Sequence, residues 1–153
     1  MQQDWETILK GIRAFKKMLR QQAEKVGLNA SEAQVLSFVA ENGNKSITEI
    51  ASSLNLGKSS VADIIDSLER KGLVKRVRSL NDKRVVYVEV TNKGKELYSS
   101  IKCSYRDLIL NLLSQVKSPE CVTSFFEVVI RYSSEGEKAS ETVKIANPDK
   151  NNK

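Results

Sequence analysis

Residues 48–90 read TEIASSLNLGKSSVADIIDSLERKGLVKRVRSLNDKRVVYVEV. Two short amphipathic segments meet at a tight turn, Asn55-Leu56-Gly57. Thr48 is an expected N-cap for the first segment, which ends near Leu54. The second is predicted as a helix from Lys58 to Lys71, stopped by Gly72. Its apolar set, Val61, Ile64, Ile65 and Leu68, falls on one face, with Ser59, Ala62, Asp63, Asp66 and Arg70 opposite. Ala51 is small enough to let the two helices cross closely. A polar loop, Ser79 to Arg84, then separates two strand candidates, Val74–Arg78 and Val85–Val90. The second alternates, with Val86, Val88 and Val90 on one face and Val85, Tyr87 and Glu89 on the other.

This order predicts a helix-turn-helix with a basic β-hairpin attached, a winged helix suited to duplex DNA. Charge supports it. The whole chain carries a formal net charge of +6. From Arg70 to Arg84 there are seven basic residues, Arg70, Lys71, Lys75, Arg76, Arg78, Lys83 and Arg84, against one acid, Asp82. An excess of that size at a hairpin following a helix-turn-helix points to phosphate contact.

The flanks read as helices. Trp5, Ile8, Leu9, Ile12, Phe15, Met18, Leu19, Ala23 and Val26 recur at threes and fours from Asp4 to Val26, with Asp4 as N-cap and Gly27 as stop. Lys10, Arg13, Lys16, Lys17 and Arg20 occupy the other face. A second helix is expected over 32–41, capped by Ser31 or Asn29, with Val35, Leu36, Val39 and Ala40 inward. Thr91 can cap a long helix over 92–116, whose stripe runs Leu97, Tyr98, Ile101, Tyr105, Leu108, Ile109, Leu112, Leu113 and Val116. Pro119 opens the last helix, expected to end near Tyr132 or slightly beyond, with Val122, Phe125, Phe126, Val129 and Ile130 as its apolar set. The apolar pattern fades from Ser133, and 133–153 reads as a polar, mobile tail.

Composition excludes much else. A hydrophobic content of 40% suffices for a core in one domain of 153 residues. No apolar run is long enough to span a bilayer. The N-terminal MQQDWETILKGI has no apolar h-region, so a cytoplasmic location is expected. The absence of histidine removes Ser-His triads and imidazole metal ligands. Cys103 and Cys121 are expected as buried free thiols, a redox switch being the alternative. No Gly-rich phosphate loop or paired-carboxylate constellation is present. The chain reads as a non-enzyme requiring no metal or cofactor.

The order of elements resembles the MarR family of transcriptional regulators. Gly27-Leu28 with Val35-Leu36 is similar to the family's entry to its second helix, Asn29 and Glu32 standing where Thr and Gln are usual. Thr48-Glu49-Ile50-Ala51 with Leu54, then Lys58-Ser59-Ser60-Val61, Asp66 and Leu68-Glu69-Arg70-Lys71-Gly72-Leu73-Val74 match the helix-turn-helix. Asn81-Asp82-Lys83-Arg84 resembles the wing signature, and Thr91-Asn92-Lys93-Gly94-Lys95-Glu96-Leu97 the start of the long helix. Asp63 and Ser67 depart from the family, which usually carries a basic residue at the first position and often one at the second.

The resemblance implies a mainly α fold in which a winged helix over 28–91 is flanked by dimerisation helices (1–26 and 92–132). It implies a homodimer acting as a ligand-responsive repressor on a pseudo-palindromic operator. The three apolar stripes at the chain's ends fit such a dimer, with Trp5, Ile8, Ile12, Leu108, Leu112, Phe125, Phe126 and Val129 as expected interface residues. Lys58, Ser59, Ser60, Ala62 and Asp63 are the expected groove contacts, and Arg78, Asp82, Lys83 and Arg84 those of the wing. Asp82 is expected to stabilise the turn and orient Arg84, and Asp66 to pair with Arg84 or Arg70. A small anionic or aromatic effector is implied, for which Trp5, Arg13, Phe15 and Tyr98 are candidates. The competing reading is a winged helix that docks proteins without specific DNA binding.

Overall fold

A computed structural model describes residues 4–145. The elements are α1 (Asp4–Glu24), α2 (Ala30–Asn42), β1 (Lys45–Ser46), α3 (Ile47–Leu54), α4 (Lys58–Arg70), β2 (Val74–Arg78), β3 (Val86–Val90), α5 (Asn92–Leu113) and α6 (Pro119–Ile145). They are mainly α with a small three-stranded antiparallel sheet, ordered β1-β3-β2. The chain divides into two compact units, one ending at Leu108 and the other starting at Ile109. No helix among the described residues is long and apolar enough to cross a membrane.

In the first unit, Val35, Leu36 and Val39 of α2 meet Ile50 and Ala51 of α3 and Val61, Ile65 and Leu68 of α4. Leu73 and Val74, Val88 and Val90, and Ile101 of α5 close the same core. Ile64 is only half-buried at its edge. Ala51 is almost wholly buried, as a close helix crossing requires. The long apolar side chains of this core each add about 1.5–3 kcal/mol through burial.

Capping decides between the two caps expected for α2 and corrects the one expected for α3. Asn29, not Ser31, caps α2: its side chain accepts from the Glu32 amide at 2.8 Å, and the Asn29 amide donates back to Glu32 at 3.2 Å. Ser46, not Thr48, caps α3 through the same reciprocal box with Glu49, at 3.2 and 2.8 Å. Ser46 wins because Glu lies three residues beyond it, the spacing at which both donors are satisfied. Lys45 and Ser46 also pair with Val88 and Tyr87, forming a third strand that two residues of sequence do not announce.

The last helix differs most from expectation. α6 continues through Ser133 to Ile145, where a polar tail was expected. Its apolar stripe fades after Tyr132, but Glu, Lys and Ala sustain helix without one. Residues 146–153 of the expected tail lie outside the described residues. In this second unit Phe125 and Phe126 meet edge to face at 5.5 Å.

One buried charge joins four of these pieces. Glu32 is 4% exposed. Its carboxylate accepts from Ser67 Oγ at 3.0 Å and Lys71 Nζ at 2.7 Å, besides the Asn29 amide. Lys71 Nζ also donates to the Gly27 carbonyl at 2.9 Å, and Lys93 Nζ to the Lys71 carbonyl at 3.0 Å. The start of α2 is thereby tied to the end of α4, the exit of α1 and the start of α5. Burial alone would raise the Glu32 pKa, but the bonds from Lys71, Asn29 and Ser67 and the Lys71 charge outweigh it, and the net shift is downward.

A second lock lies at the start of α5. Thr91 Oγ1 donates to the Gly72 carbonyl at 2.7 Å and accepts from the Gly94 amide at 3.1 Å, which confirms Thr91 as the cap. Gly94 is buried so closely that an added Cβ would lie 2.1 Å from the Leu73 carbonyl oxygen.

Two outcomes follow. Because the folded-state pKa of Glu32 lies below its unfolded value, its contribution is complete above the unfolded value, about 4.3. It is lost as pH falls from there through the folded-state value. Glu32→Gln should therefore flatten the acid limb of stability in pH-dependent urea melts; an unchanged limb would show the pair to be inert. Gly94→Ala should cost on the order of 1–3 kcal/mol through overpacking, read as a lowered melting temperature, and an unshifted melt would contradict that close approach.

Candidate nucleic-acid interface

The turn between α3 and α4 is set by backbone conformation. Asn55 adopts left-handed φ of 53°, and the Leu56 amide reaches back to the Ala51 carbonyl at 2.9 Å. Asn tolerates that region better than most residues. Gly57 then precedes α4 without supplying any capping side chain. The first turn of α4 thus keeps orphan amide donors, the feature that suits a helix start to anions. Lys58, Ser59 and Ser60 surround it, all exposed. Ala62 is half-buried and Asp63 exposed.

β2 and β3 pair in register from Val74↔Val90 to Arg78↔Val86, making the wing. Its tip is held by its own side chains. Ser79 Oγ accepts from the Asn81 and Asp82 amides at 3.3 Å. Asp82 Oδ1 accepts from the Arg84 amide at 3.0 Å and from Arg84 Nε at 3.4 Å. Asp82 therefore both stabilises the turn and orients the guanidinium, which stays 93% exposed. Arg78 and Lys83 have no ion-pair partner among the described residues and face solvent.

Arg76 corrects the expected pairing of Asp66, which bonds neither Arg84 nor Arg70. Arg76 Nη2 lies 2.6 Å from Asp66 and Nη1 3.2 Å from Glu69. Both acids lie on α4, so one guanidinium fastens β2, an edge strand of the sheet, to α4. The bond from Asp66 raises the Arg76 pKa against the opposing effect of burial. Lys75 lies 3.8 Å from Glu89 across the strands. Two of the seven cations of that window therefore meet acids at the wing's base, and Lys71 is held by Glu32. Residue spacing marked Arg76 as a strand residue, but only the fold brings it under α4.

With these groups in place, the comparisons with known proteins decide the class. The sequence model of the MarR family matches residues 28–86. Over its winged helix the chain is similar to the MarR family. Over 115 residues it is 27% identical to the HTH-type transcriptional regulator MhqR of Bacillus subtilis, covering 73% of this chain and 79% of that protein. Over 92 residues it is 35% identical to the HTH-type transcriptional regulator YkoM of the same organism, covering 58% of this chain and 60% of that one. A solved MarR family structure from Bacillus stearothermophilus is 25% identical, covers 88% of this chain and 94% of its own, and superposes with a TM-score of 0.70. The winged helix thus resembles those of HTH-type transcriptional regulators.

The remaining expected positions divide. Trp5, Ile8 and Ile12 on α1, and Phe125, Phe126 and Val129 on α6, are all exposed, Trp5 by 54%. Leu108 and Leu112 are half-buried. Cys103 and Cys121 are free and exposed, a correction of the buried thiols expected: Cys103 lies on the side of α5 opposite buried Ile101, and Cys121 lies on α6, none of whose described side chains is buried. Trp5 and Arg13 face solvent and Phe15 is half-buried. Tyr98 donates its hydroxyl to Glu41 at 2.7 Å, and that carboxylate raises the phenol pKa to about 12. A hydroxyl already given to a carboxylate is a poor place for an anion.

Arg76→Met should release the wing from α4. Faster amide hydrogen exchange in β2 and β3 is expected; unchanged exchange would mean that strand pairing alone holds the wing.

Proposed function

We propose that the chain is a homodimeric repressor binding a pseudo-palindromic site in duplex DNA. The observation that carries the reading is the wing tip. Arg84 is oriented by Asp82 yet open to solvent, and Arg78 and Lys83 beside it are unpaired. An arginine so presented suits a narrow minor groove, where it reads width and negative potential. Lys58, Ser59 and Ser60 at the uncapped start of α4 suit the adjoining major groove, and half-buried Ala62 offers a methyl to thymine.

The dimer is supported by apolar side chains left in water within one chain. Burying a residue such as Phe125 or Ile8 contributes about 1.5–3 kcal/mol each. In such a dimer the two recognition helices would enter successive major grooves about 34–36 Å apart. Repression follows where the site overlaps a promoter. No effector is assigned, since Tyr98 is committed to Glu41.

Binding to a specific duplex should weaken steeply with salt. With about 8 phosphate contacts per dimer the log-log slope should lie near −7. Arg84→Ala should make that slope shallower and reduce affinity most at A·T-rich flanks. A flat salt dependence in the parent protein would overturn the reading, and an unchanged slope in the variant would remove Arg84 from the interface.

A further inference from the structure

Three acids lie on the exposed side of α4, Asp63, Asp66 and Glu69. Asp66 and Glu69 both hold Arg76. The Asp63 carboxylate has no hydrogen bond or ion pair among the described residues. Its own helix places no cation three or four positions away, where Ser59, Ser60, Asp66 and Ser67 stand. Ser67 is itself spent on Glu32. At 100° per residue, Asp63 stands opposite the buried line of Val61, Ile65 and Leu68. A residue so placed reaches furthest from the core on the helix that would enter the groove.

A carboxylate there is repelled by phosphate and accepts hydrogen bonds only. The major groove offers it two kinds of donor, the N4 amino group of cytosine and the N6 amino group of adenine. Adenine sets its amino group beside the N7 acceptor, which repels a carboxylate; cytosine sets a C–H there instead. Resting on the DNA-binding reading above, we infer that Asp63 reads cytosine, imposing one C·G pair in each half-site. The open carboxylate then has a purpose that the paired ones cannot share. It adds base-by-base discrimination, where Arg84 of the wing reads groove width and Arg78 and Lys83 add affinity.

Selection of bound duplexes from a random pool, with the full chain and with Asp63→Asn and Asp63→Ala, tests this. Asp63 is exposed and unpartnered, so both variants should fold; circular dichroism checks it. The parent should recover a cytosine at one symmetry-related position of each half-site. Replacing that C·G pair by T·A should weaken the parent about tenfold, near the lower end for a base-specific contact. The Ala variant should bind the two duplexes within about twofold of each other, and the Asn variant should move the preference toward adenine, whose N6 and N7 suit an amide. Recovered sites that the Ala variant shares unchanged would overturn the inference alone. Recovery of no duplex by the parent would overturn the DNA-binding reading and this inference with it.

Discussion

A single buried carboxylate sets the geometry of the winged helix. Glu32 is removed from water at the entry to α2, where an unpaired charge would be costly. Its oxygens are instead occupied by Ser67 and Lys71 from the far end of α4 and by the Asn29 amide. Lys71 is partly exposed, which moderates the Coulomb energy of the pair. The geometric effect is larger than the energetic one. Through Gly27 and Lys93 the same lysine reaches the exit of α1 and the start of α5. α4 cannot pivot about its N-terminal turn without breaking these bonds, and its N-terminal residues are presented in a fixed direction.

The wing is subordinate to that arrangement. Arg76 binds it to α4 from below, and Asp82 shapes its tip from above. The positive charge of the region is thus divided by role. Lys71 and Arg76 work as structural cations, and Lys75 faces Glu89. Lys58 at the start of α4 and Arg78, Lys83 and Arg84 at the wing remain open to a polyanion. The exposed surface of α4 is close to neutral, so electrostatic grip would come chiefly from the wing, and discrimination from the few groups along the helix.

Much of this was legible in the sequence. The periodicity of Val61, Ile65 and Leu68, the alternation of Val86, Val88 and Val90, the turn at Asn55-Leu56-Gly57 and the cap at Thr91 each predict their elements through local rules. The Asp82–Arg84 contact was legible for the same reason, being only two residues long. What escaped was long-range. Glu32 and Ser67 read as departures from a pattern, since nothing local tells that they meet 35 residues apart. Arg76 read only as one basic strand residue of the window, because its acids lie on another element. β1 is too short for any period, and the reach of α6 depends on helix propensity once the apolar stripe has ended. The exposed thiols show the opposite failure: residue type suggested burial, whereas position decided exposure, Cys103 facing away from Ile101 and Cys121 lying on a helix with no buried side chain among those described.

The central claim is that two copies of this pre-positioned winged helix grip one duplex. Hydroxyl-radical footprinting of the full chain on a duplex that it selects measures this most directly. Protection with two-fold symmetry is expected, the two halves centred about one helical turn apart, with protected minor-groove sugars outside them where the wings lie. A single asymmetric patch, or no protection at low salt, would contradict it.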